Sequence, residues 1–426
     1  MTRQFSIGPA QAKPAKRVPS PLEAGSIPRA GRMLEQIPCP LPPVEEATLV
    51  QALGRVAAED VRAPFSVPGF TRSRFDGYAL RAEDISWASP ETPVPVLVEG
   101  FVPAGSVPGD PVFPHGSHRI MTGAPLPKGA DCVVPFEEVL AGDRRIAVTV
   151  SHPAGFGIGR ADCDVLRNRR VLCQGWRLAP IHLARAAMIG LTSIPVFRRP
   201  RIGILSTGSE LVEPGNPRPF PKLYNSTQFA IAGHVQEAGA EPVLLGAVPD
   251  DAGAIAERVL RGIEENAMLV TTGGVGQGDC DCMREALLKA GGTPVVEGCA
   301  FRPGGNFQAW NCQGKLCLCL SGGPGSALIA LGLFGIPFVR RLTGQSDWKL
   351  KTMRVGLASL PERQGKGLCP GRIGLVHGKP LFEPFRLRGM EQEPANAVME
   401  LKGRVLRERD LHGRIRHPVW LIGPVP

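Results

Sequence analysis

The sequence predicts a multidomain chain of the α/β plus β class, built around a doubly wound α/β domain at residues 201–345. Two observations support this prediction. Short apolar runs alternate with helical patterns through this region, and two of the runs pass directly into glycine-rich turns at residues 207–211 and 271–281. Repeated passage from apolar run to turn to helix is typical of a parallel sheet that is covered by helices on both faces.

The pattern changes outside this region, which predicts further parts. Short β-like runs split by Pro and Gly fill most of residues 61–154 and return after residue 346, whereas apolar residues at helical spacing occur near residues 44–56 and 180–189. In chain order, the predicted parts are a flexible tail at 1–30, a helical linking domain at 31–60 and 155–200, an inserted β-rich domain at 61–154, and a C-terminal small β domain at 346–426.

The apolar pattern also divides the α/β domain into elements. One helix is expected between the possible caps Asn225 and Ser226 and the breaker Gly239. A second helix is expected after Asp250 and Asp251, because acidic side chains suit a helix N-terminus and one apolar face follows them. Strands are expected at 202–205, 243–248, 268–271 and 316–320.

The composition is that of an ordinary globular protein with a basic surface. Of the 426 residues, 43% are hydrophobic, and the mean hydropathy is near zero. The net charge of +10 suits phosphorylated ligands or other polyanions. Because only 6% of the residues are aromatic and no basic–aromatic interleaving occurs, we expect no nucleic-acid partner.

Other features of the composition bear on the compartment. The longest apolar run, at 327–339, contains two glycines and a proline and is too short to span a bilayer, so we expect no membrane partner. The first 25 residues contain basic residues and prolines without the apolar core of a signal peptide. The 11 cysteines are expected to be free thiols. Together these features predict a cytoplasmic protein.

Acidic side chains follow the predicted strands at the edge where such sheets bind ligands. Glu210 lies in the first glycine-rich turn, and Asp279 and Asp281 lie in the second. Ligands of doubly wound sheets bind at the carboxyl ends of the strands, and these ligands are commonly anions. A divalent cation between the carboxylates and an anionic ligand would reconcile the charges, so the sequence predicts a metal site here.

The glycine-rich run at 273–278 is not a nucleotide-binding fingerprint. Its third glycine comes one residue too early for a dinucleotide loop, and no Lys-Ser or Lys-Thr pair follows it. Rossmann dehydrogenases and P-loop enzymes are therefore disfavoured. The backbone N–H groups of such a run can still bind a phosphate group.

Several segments, taken in order, resemble the MoeA-type molybdopterin molybdenumtransferases, the family that includes the gephyrin E domain. Asp-Gly-Tyr-Ala at 76–79 would by itself be read as a turn. The specific segments are Met-Thr-Gly-Ala-Pro-Leu-Pro at 121–127 and Ser-Thr-Gly-Ser-Glu-Leu at 206–211. The resemblance extends from about residue 30 to residue 345, and weaker similarity continues to residue 426.

The resemblance implies an enzyme of molybdenum cofactor biosynthesis. Such proteins bind adenylylated molybdopterin and molybdate, insert the metal into the dithiolene, and release AMP with the help of Mg²⁺. The resemblance also implies an elongated four-domain homodimer with a MogA-like, molybdopterin-binding α/β domain. The site is then expected between the α/β domain of one subunit and the β-rich domain of the other.

The resemblance assigns roles to residues by their position in the matching motifs. The residues expected to be catalytic are Asp76, Asp164, Asp250 (or Asp251) and Arg302, and the residues expected to bind Mg²⁺ are Glu210 and Asp281. The residues expected to bind the pterin substrate are Thr122, Thr207, Gly208, Gly273, Gly274, Gly278, Gly304 and Gly322. For Asp250 and Asp251, interaction with the dipole of the following helix is an equally good explanation.

Several ligand-facing positions differ from the family pattern. The family's Gly-Gly-Val-Ser-Val-Gly loop has Gly276 in place of serine, and its Lys-Pro-Gly-Lys-Pro segment is Arg-Pro-Gly-Gly-Asn at 302–306. Gly305 therefore replaces a lysine whose charge would face phosphate or molybdate. The family's Leu-Pro-Gly-Asn-Pro turn is Leu-Ser-Gly-Gly-Pro at 320–324. In the last domain only Ala395-Asn396 resembles the family's glycine–serine segment.

These differences leave two hypotheses open. The first is an active molybdenum insertase with an altered anion pocket. The second is a divergent, non-catalytic paralogue that acts as a pterin or cofactor carrier, a chaperone or a regulator. The retained acidic residues favour the enzyme, and the lost lysine and asparagine favour the paralogue.

A third hypothesis involves thiols. Cys280 and Cys282, and likewise Cys317 and Cys319, alternate along the chain, so each pair could present two sulfurs on one face of a strand. Such pairs could bind zinc or an iron–sulfur centre. However, Cys317 and Cys319 lie in an apolar run, which is typical of cysteines packed in a core.

Overall fold

The computed structural model describes residues 26–142, 144–275, 282–299, 302–357, 365–376, 379–384, 395, 397–403 and 417–422. The chain divides into two compact units. Met1–Glu45 together with Phe197–Pro426 form one, called here the α/β unit, and Glu46–Val196 form the other, called the inserted unit.

The elements of the described residues are numbered in chain order. The helices are α1 (Ile27–Leu34), α2 (Pro180–Met188), α3 (Thr227–Glu237), α4 (Ala252–Glu265), α5 (Met283–Lys289), α6 (Pro324–Ala330) and α7 (Ile336–Leu342). The strands up to residue 197 are β1 (Val44–Thr48), β2 (Val61–Arg62), β3 (Arg72–Ser73), β4 (Gly77–Leu80), β5 (Val94–Val102), β6 (Gly116–Ile120), β7 (Cys132–Pro135), β8 (Val139–Ala141), β9 (Arg145–Val148), β10 (Ile158–Gly159), β11 (Arg170–Leu172) and β12 (Ser193–Phe197).

The later strands continue the same numbering. Those of the central region are β13 (Arg201–Thr207), β14 (Leu211–Val212), β15 (Leu223–Tyr224), β16 (Glu241–Val248), β17 (Met268–Thr272), β18 (Thr293–Val296), β19 (Phe307–Cys312) and β20 (Lys315–Leu320). Those of the C-terminal region are β21 (Thr352–Leu357), β22 (Gly365–Val376), β23 (Lys379–Pro384), β24 (Ala397–Gly403) and β25 (His417–Leu421).

A six-stranded sheet of order β16-β13-β17-β20-β19-β18 forms the core of the α/β unit. Its first four strands are parallel, and β19 and β18 run antiparallel to their neighbours. Side chains alternate between the two faces of each strand. Ile204 on β13 therefore shares a hydrophobic cluster with Ile231 of α3, whereas Leu205 shares another with Val259 of α4. The doubly wound architecture predicted for this region is confirmed.

The four predicted strands correspond to β13, β16, β17 and β20, and the two predicted helices correspond to α3 and α4. The caps differ from the prediction in one respect. Asp251 caps α4, since its Oδ1 accepts the Ala254 N–H at 2.7 Å. Asn225 does not cap α3, because its buried side chain bonds to Ser206 and Glu213 instead.

The apolar run at 327–339 belongs to a longer helix than the sequence indicated. α6, a π-helical turn at Leu331–Gly335 and α7 form a continuous helix of 19 residues, Pro324–Leu342. By length and composition alone this helix could cross a membrane, so the argument from its shortness was wrong. Yet 72% of its most apolar stretch is buried within the protein, and Phe334 stacks on Phe307 of β19 with ring centroids 4.5 Å apart. It is the core helix of the α/β unit.

The β structure predicted for the other regions is present. The inserted unit contains a six-stranded sheet of order β7-β4-β6-β5-β9-β8, packed around residues such as Tyr78, Leu80 and Ile146. At the C-terminus, the described strands form a closed barrel of order β21-β23-β22-β24-β25 around Ile373 and Phe382. The boundaries drawn between the inserted β-rich domain, the α/β domain and the C-terminal domain stay predictions.

The prediction of a helical linking domain at 31–60 and 155–200 was largely wrong. Within 31–60 only the end of α1 is helical, and residues 44–48 form β1, which pairs with β12. The apolar spacing there is not a buried face, because Val44 is 51% exposed and Val50 is 84% exposed. Within 155–200 the single described helix is α2, beside three strands, so pairing between strands distant in sequence overrides local spacing.

The predicted tail at 1–30 ends too late. Helix α1 begins at Ile27 because Ser26 caps it, with the Arg29 N–H 3.4 Å from Ser26 Oγ. Ile27, Ala30 and Leu34 are buried in the main cluster of the α/β unit, which anchors the helix. The rest of the predicted tail, residues 1–25, lies outside the described residues.

We predict that Gly77→Ala destabilises the inserted unit by about 1–3 kcal/mol, the usual cost of overpacking a tight site. A Cβ at Gly77 would lie 2.0 Å from the Val134 carbonyl oxygen, so β4 could not keep its pairing with β7. Urea unfolding and amide hydrogen exchange of residues 77–80 would measure the loss. Gly109→Ala is the matched control, because a Cβ there meets no atom within 4 Å. Equal unfolding midpoints for the two variants would contradict the prediction.

Candidate active site at the carboxyl edge of the parallel sheet

The loop that follows β13 is tied to two neighbouring strands of the sheet. Thr207 ends β13 and is buried, and its hydroxyl donates to the Thr272 carbonyl at the end of β17, at 3.2 Å. The N–H of Gly208 donates to the carbonyl of Val248 at the end of β16, at 3.0 Å. The carboxyl ends of three parallel strands, β13, β16 and β17, therefore meet at one edge of the sheet, which is where ligands of such sheets bind.

Gly273 closes this edge by a backbone contact that excludes any side chain. A Cβ at Gly273 would lie 2.3 Å from the Thr207 carbonyl oxygen, and the residue has a φ of +94°, which favours glycine. Its N–H donates to the Leu320 carbonyl of β20 at 3.0 Å. A Cβ on Gly322 would be 3.7 Å from the Gly273 Cα. The predicted residues Thr207, Gly208, Gly273 and Gly322 are therefore brought together.

Two adjacent aspartates have different roles at this edge. Asp250 Oδ2 accepts the Ser209 N–H at 2.9 Å, and the Asp250 N–H donates to Ser209 Oγ at 3.2 Å. Asp251 instead caps helix α4. The helix-terminus explanation thus holds for Asp251, and Asp250 positions the loop that carries Glu210.

Two glutamates three residues apart also differ. Both carboxylate oxygens of Glu213 accept side-chain amides, from Asn225 at 2.9 Å and from Gln228 at 2.6 Å. The Glu210 side chain is exposed and lies against Gly208, where a Cβ would be 2.6 Å from its Oε2. Within the residues that the structure describes, the Glu210 carboxylate makes no ion pair. Glu210 is therefore available for a ligand, and Glu213 is held in the fold.

A lysine that the sequence reasoning missed contacts the same loop. Lys222 Nζ lies 2.5 Å from the Ser209 carbonyl oxygen and is half-buried. No ion pair joins it to a carboxylate of the described residues. The segment between β14 and β15 that carries it has no motif, so only the tertiary structure identifies this cation.

The remaining predicted residues of the α/β unit have separate surroundings. Gly274 directly follows Gly273 and has a φ of +62°. Gly304 is buried, and a Cβ there would lie 2.9 Å from Ile329 Cγ2 of α6. Arg302 is exposed, and its carbonyl accepts the Leu368 N–H at 3.0 Å. Gly278 and Asp281 lie outside the described residues, as do Gly276, Cys280 and Asn396.

Asp76 and Thr122 of the inserted unit are in direct contact. Asp76 Oδ1 accepts both the backbone N–H and the hydroxyl of Thr122, each at 2.7 Å. The backbone hydrogen bond from Thr122 contributes most to lowering the pKa of the Asp76 carboxyl below its ordinary 3.8, followed by the bond from the Thr122 hydroxyl. The positive charge of Arg119 lowers this pKa by a smaller amount. Asp76 is therefore a carboxylate at neutral pH.

Asp164 lies near this pair through strand β3. Its Oδ2 is 3.4 Å from the guanidinium of Arg72, and the next residue of β3, Ser73, exchanges backbone hydrogen bonds with Gly123 and Ala124. Asp164 is 40% exposed at its side chain, so this ion pair contributes little stability. These contacts thus connect the three predicted residues of the inserted unit to one strand, β3.

The donor set fits Mg²⁺ only if a substrate supplies further ligands. Among the described residues no group of three or more His, Cys, Asp or Glu side chains could hold a metal ion alone. Mg²⁺ is commonly bound by one or two carboxylates together with phosphate oxygens and water. Glu210 is exposed at the carboxyl edge of the sheet and makes no ion pair with the described residues, so its carboxylate is suited to this mode of binding.

The thiol hypothesis is not supported by the described cysteines. Cys312, Cys317 and Cys319 are buried in the cluster that also contains Trp310. Hydrogen bonds with Cys312 and Cys319, together with burial, raise the pKa of Cys317, which favours the thiol over a metal-binding thiolate. Cys282 donates to the Asp250 carbonyl at 3.6 Å. These thiols pack the core and support the site.

We predict that Thr122→Val raises the pKa of Asp76 part of the way towards 3.8, because the hydroxyl bond is lost and the backbone bond remains. Thr122→Ser should leave the pKa unchanged. The ¹³C shift of the Asp76 carboxyl, followed against pH with Asp76→Asn for assignment, measures this pKa.

Because the folded-state pKa of Asp76 is lowered, the pair stabilises the fold fully above pH 3.8, and this contribution is lost as pH falls through the lower folded-state value. A wild-type midpoint at or above 3.8 would contradict the prediction.

Known proteins with similar sequences cover both units. The family profile described as "MoeA N-terminal region (domain I and II)" matches residues 26–190, and the profile described as "Probable molybdopterin binding domain" matches residues 203–341. The chain is 36% identical to molybdopterin molybdenumtransferase 2 of Mycobacterium tuberculosis over 324 residues, which are 75% of this chain and 80% of that protein. It is 34% identical to the molybdopterin molybdenumtransferase of Bacillus subtilis, covering 70% of each chain.

Solved structures give the same result. The crystal structure of the molybdopterin biosynthesis MoeA protein from Pyrococcus horikoshii OT3 matches with a TM-score of 0.75 and 26% identity, covering 93% of this chain and 99% of that one. The motifs of the sequence, the doubly wound sheet with its glycine-closed edge, and these relatives all agree, and the chain belongs to the molybdopterin molybdenumtransferase family.

Proposed function

We propose that this protein inserts molybdate into adenylylated molybdopterin and releases AMP. The observation that carries the proposal is the loop at 207–210. In a member of this family, this loop holds Glu210 at the carboxyl edge of the parallel sheet, without an ion pair to any described residue. The alternative of a non-catalytic carrier is not favoured, because the relatives at 34–36% identity are named as transferases.

The residues of the edge are suited to an anionic substrate. Gly208, Gly274 and Gly322 carry no side chains, so a phosphate or pterin can approach the backbone closely there. At Gly273 and Gly304 the side-chain space is instead filled by Thr207 and Ile329. Arg302 and Lys222 would offset the negative charge of the phosphoanhydride, which rises as its bond to AMP breaks. Lys222 supplies a cation in a chain that has Gly305 where the family has a lysine.

Mg²⁺ is the metal proposed for this reaction. Glu210 and Asp281 would hold it together with oxygens of the substrate. When bound, the cation would neutralise and polarise the phosphate oxygens. Asp250 acts indirectly, since its contacts with Ser209 fix the loop that presents Glu210.

The acids of the inserted unit would bind or orient rather than donate protons. Asp76 stays ionised at neutral pH because Thr122 donates two hydrogen bonds to it, so it can accept a hydrogen bond or hold a cation, but it cannot act as a general acid. Asp164 is likewise paired with Arg72. The Thr122 hydroxyl donates its proton to Asp76, so its oxygen is left to accept a hydrogen bond from the substrate.

The activity is tested by incubating the purified protein with adenylylated molybdopterin, Mg²⁺ and molybdate, and by measuring free AMP and inserted molybdenum. We predict that Glu210→Ala lowers AMP release on the order of a hundredfold or more, because an unpaired metal ligand is removed. The thermal midpoint should stay unchanged, since no ion pair within the described residues is lost.

Glu265→Ala is the matched control. Glu265 is exposed at the C-terminal end of α4, and Asp251, which begins that helix, lies at the carboxyl edge of the sheet. A 14-residue helix separates them by about 20 Å. Full activity of Glu210→Ala would remove Glu210 from the site, and a wild-type protein that releases no AMP would refute the proposed function.

We also propose that the protein is a cytoplasmic homodimer. The resemblance of residues 30–345 to the family supports this assembly, because the family acts as dimers. We predict that light scattering after gel filtration gives twice the 45.4 kDa of one chain. A single-chain mass at micromolar concentration would contradict it.

A further inference from the structure

Ser321 carries a polar group that the fold itself does not use. It directly follows β20, the strand that pairs in parallel with β17. Its Oγ is buried and has no hydrogen-bond partner among the residues that the structure describes. An unpartnered buried hydroxyl costs free energy, and the proline that the family has at this position would avoid that cost.

The position of Ser321 in the chain places the residue at the candidate active site. Its neighbour Leu320 accepts the Gly273 N–H at 3.0 Å, and its other neighbour Gly322 approaches the Gly273 Cα. Gly273 in turn contacts the Thr207 carbonyl. Ser321 therefore lies where the loops after β13, β17 and β20 meet.

A purely structural role does not explain the hydroxyl. Serine often caps a following helix, but the residue before α6 is Gly323, and no side chain caps that helix. Serine can also bond back to the backbone, yet no such bond is present for Ser321. Among the described residues, the Ser321 hydroxyl therefore has no acceptor for its proton.

We propose that the Ser321 hydroxyl donates a hydrogen bond to a tetrahedral oxyanion of the substrate, either a phosphate oxygen of the adenylylated pterin or an oxygen of molybdate. This inference rests on the proposed function. The chain has Gly323 and Gly305 where the family has asparagine and lysine, so two donors to the anion are missing at this edge. Ser321 replaces one of them from a neighbouring position.

The test compares the full-length wild type with Ser321→Ala, Ser321→Thr and the control Ser226→Ala. Ser226 lies in the same unit with an exposed side chain that makes no capping bond. KM and kcat are measured separately for adenylylated molybdopterin and for molybdate, together with the thermal midpoint of each unliganded variant.

We expect Ser321→Ala to raise the KM for one of the two substrates by about tenfold or more, the effect of losing a hydrogen bond to a charged group. The substrate whose KM rises identifies the oxyanion. Ser321→Thr keeps a hydroxyl and should have the KM values of the wild type. Ser226→Ala should also behave as wild type. The thermal midpoint of Ser321→Ala should be unchanged or higher, because no bond is lost in the unliganded protein.

Unchanged KM values for both substrates in Ser321→Ala, or a lowered thermal midpoint with no change in KM, would overturn the inference while leaving the proposed function intact. If the wild type releases no AMP, the proposed function fails, and calorimetric titration with AMP and with molybdate decides about Ser321. Binding of one of these probes that is tenfold weaker in Ser321→Ala would then support the inference. Equal binding, or no binding by the wild type, would refute it.

Discussion

The contact between Gly273 and the Thr207 carbonyl is the constraint on which the candidate site depends. With a Cβ position only 2.3 Å from that oxygen, no other residue could stand there without separating β13 from β17. The same glycine bonds to Leu320 and thereby fixes the loop after β20. Because one residue without a side chain links three strand ends, the loops that carry Glu210, Gly274 and Ser321 are held at one edge.

A buried polar network below this edge decides which side chains are left for ligands. Ser206 donates to Asn225 at 2.8 Å, and Thr272 donates to Ser206 at 3.2 Å. Asn225 and Gln228 then engage both oxygens of Glu213. Buried groups of this kind are stable only when they are paired. Glu213 is therefore used by the fold, whereas Glu210, three residues earlier, is not.

Contacts between segments that are remote in sequence explain where the structure departs from the sequence pattern. Apolar residues near 44–56 occur at helical spacing, but β1 gains its backbone hydrogen bonds from β12, which is remote in sequence. The first four residues of helix α1 were placed in the predicted tail at 1–30, although Ile27 and Ala30 are buried against residues far along the chain. In both places a contact with a distant segment decides the structure, and local spacing does not contain that information.

The doubly wound sheet, its four parallel strands and membership of the molybdopterin molybdenumtransferase family could all be predicted from the sequence. The signals for them are apolar periodicity, glycine turns and short motifs, and all of these are local. The sequence also identified Asp76 with Thr122 and Thr207 with Gly208. Three features could be seen only in the tertiary structure. Asp250 bonds to Ser209 whereas Asp251 caps a helix, and Lys222 contacts the Ser209 carbonyl. The Ser321 hydroxyl has no partner among the described residues. Each of these features depends on hydrogen bonds between loops that follow different strands. The packing of the whole unit decides which of those groups come within hydrogen-bond distance.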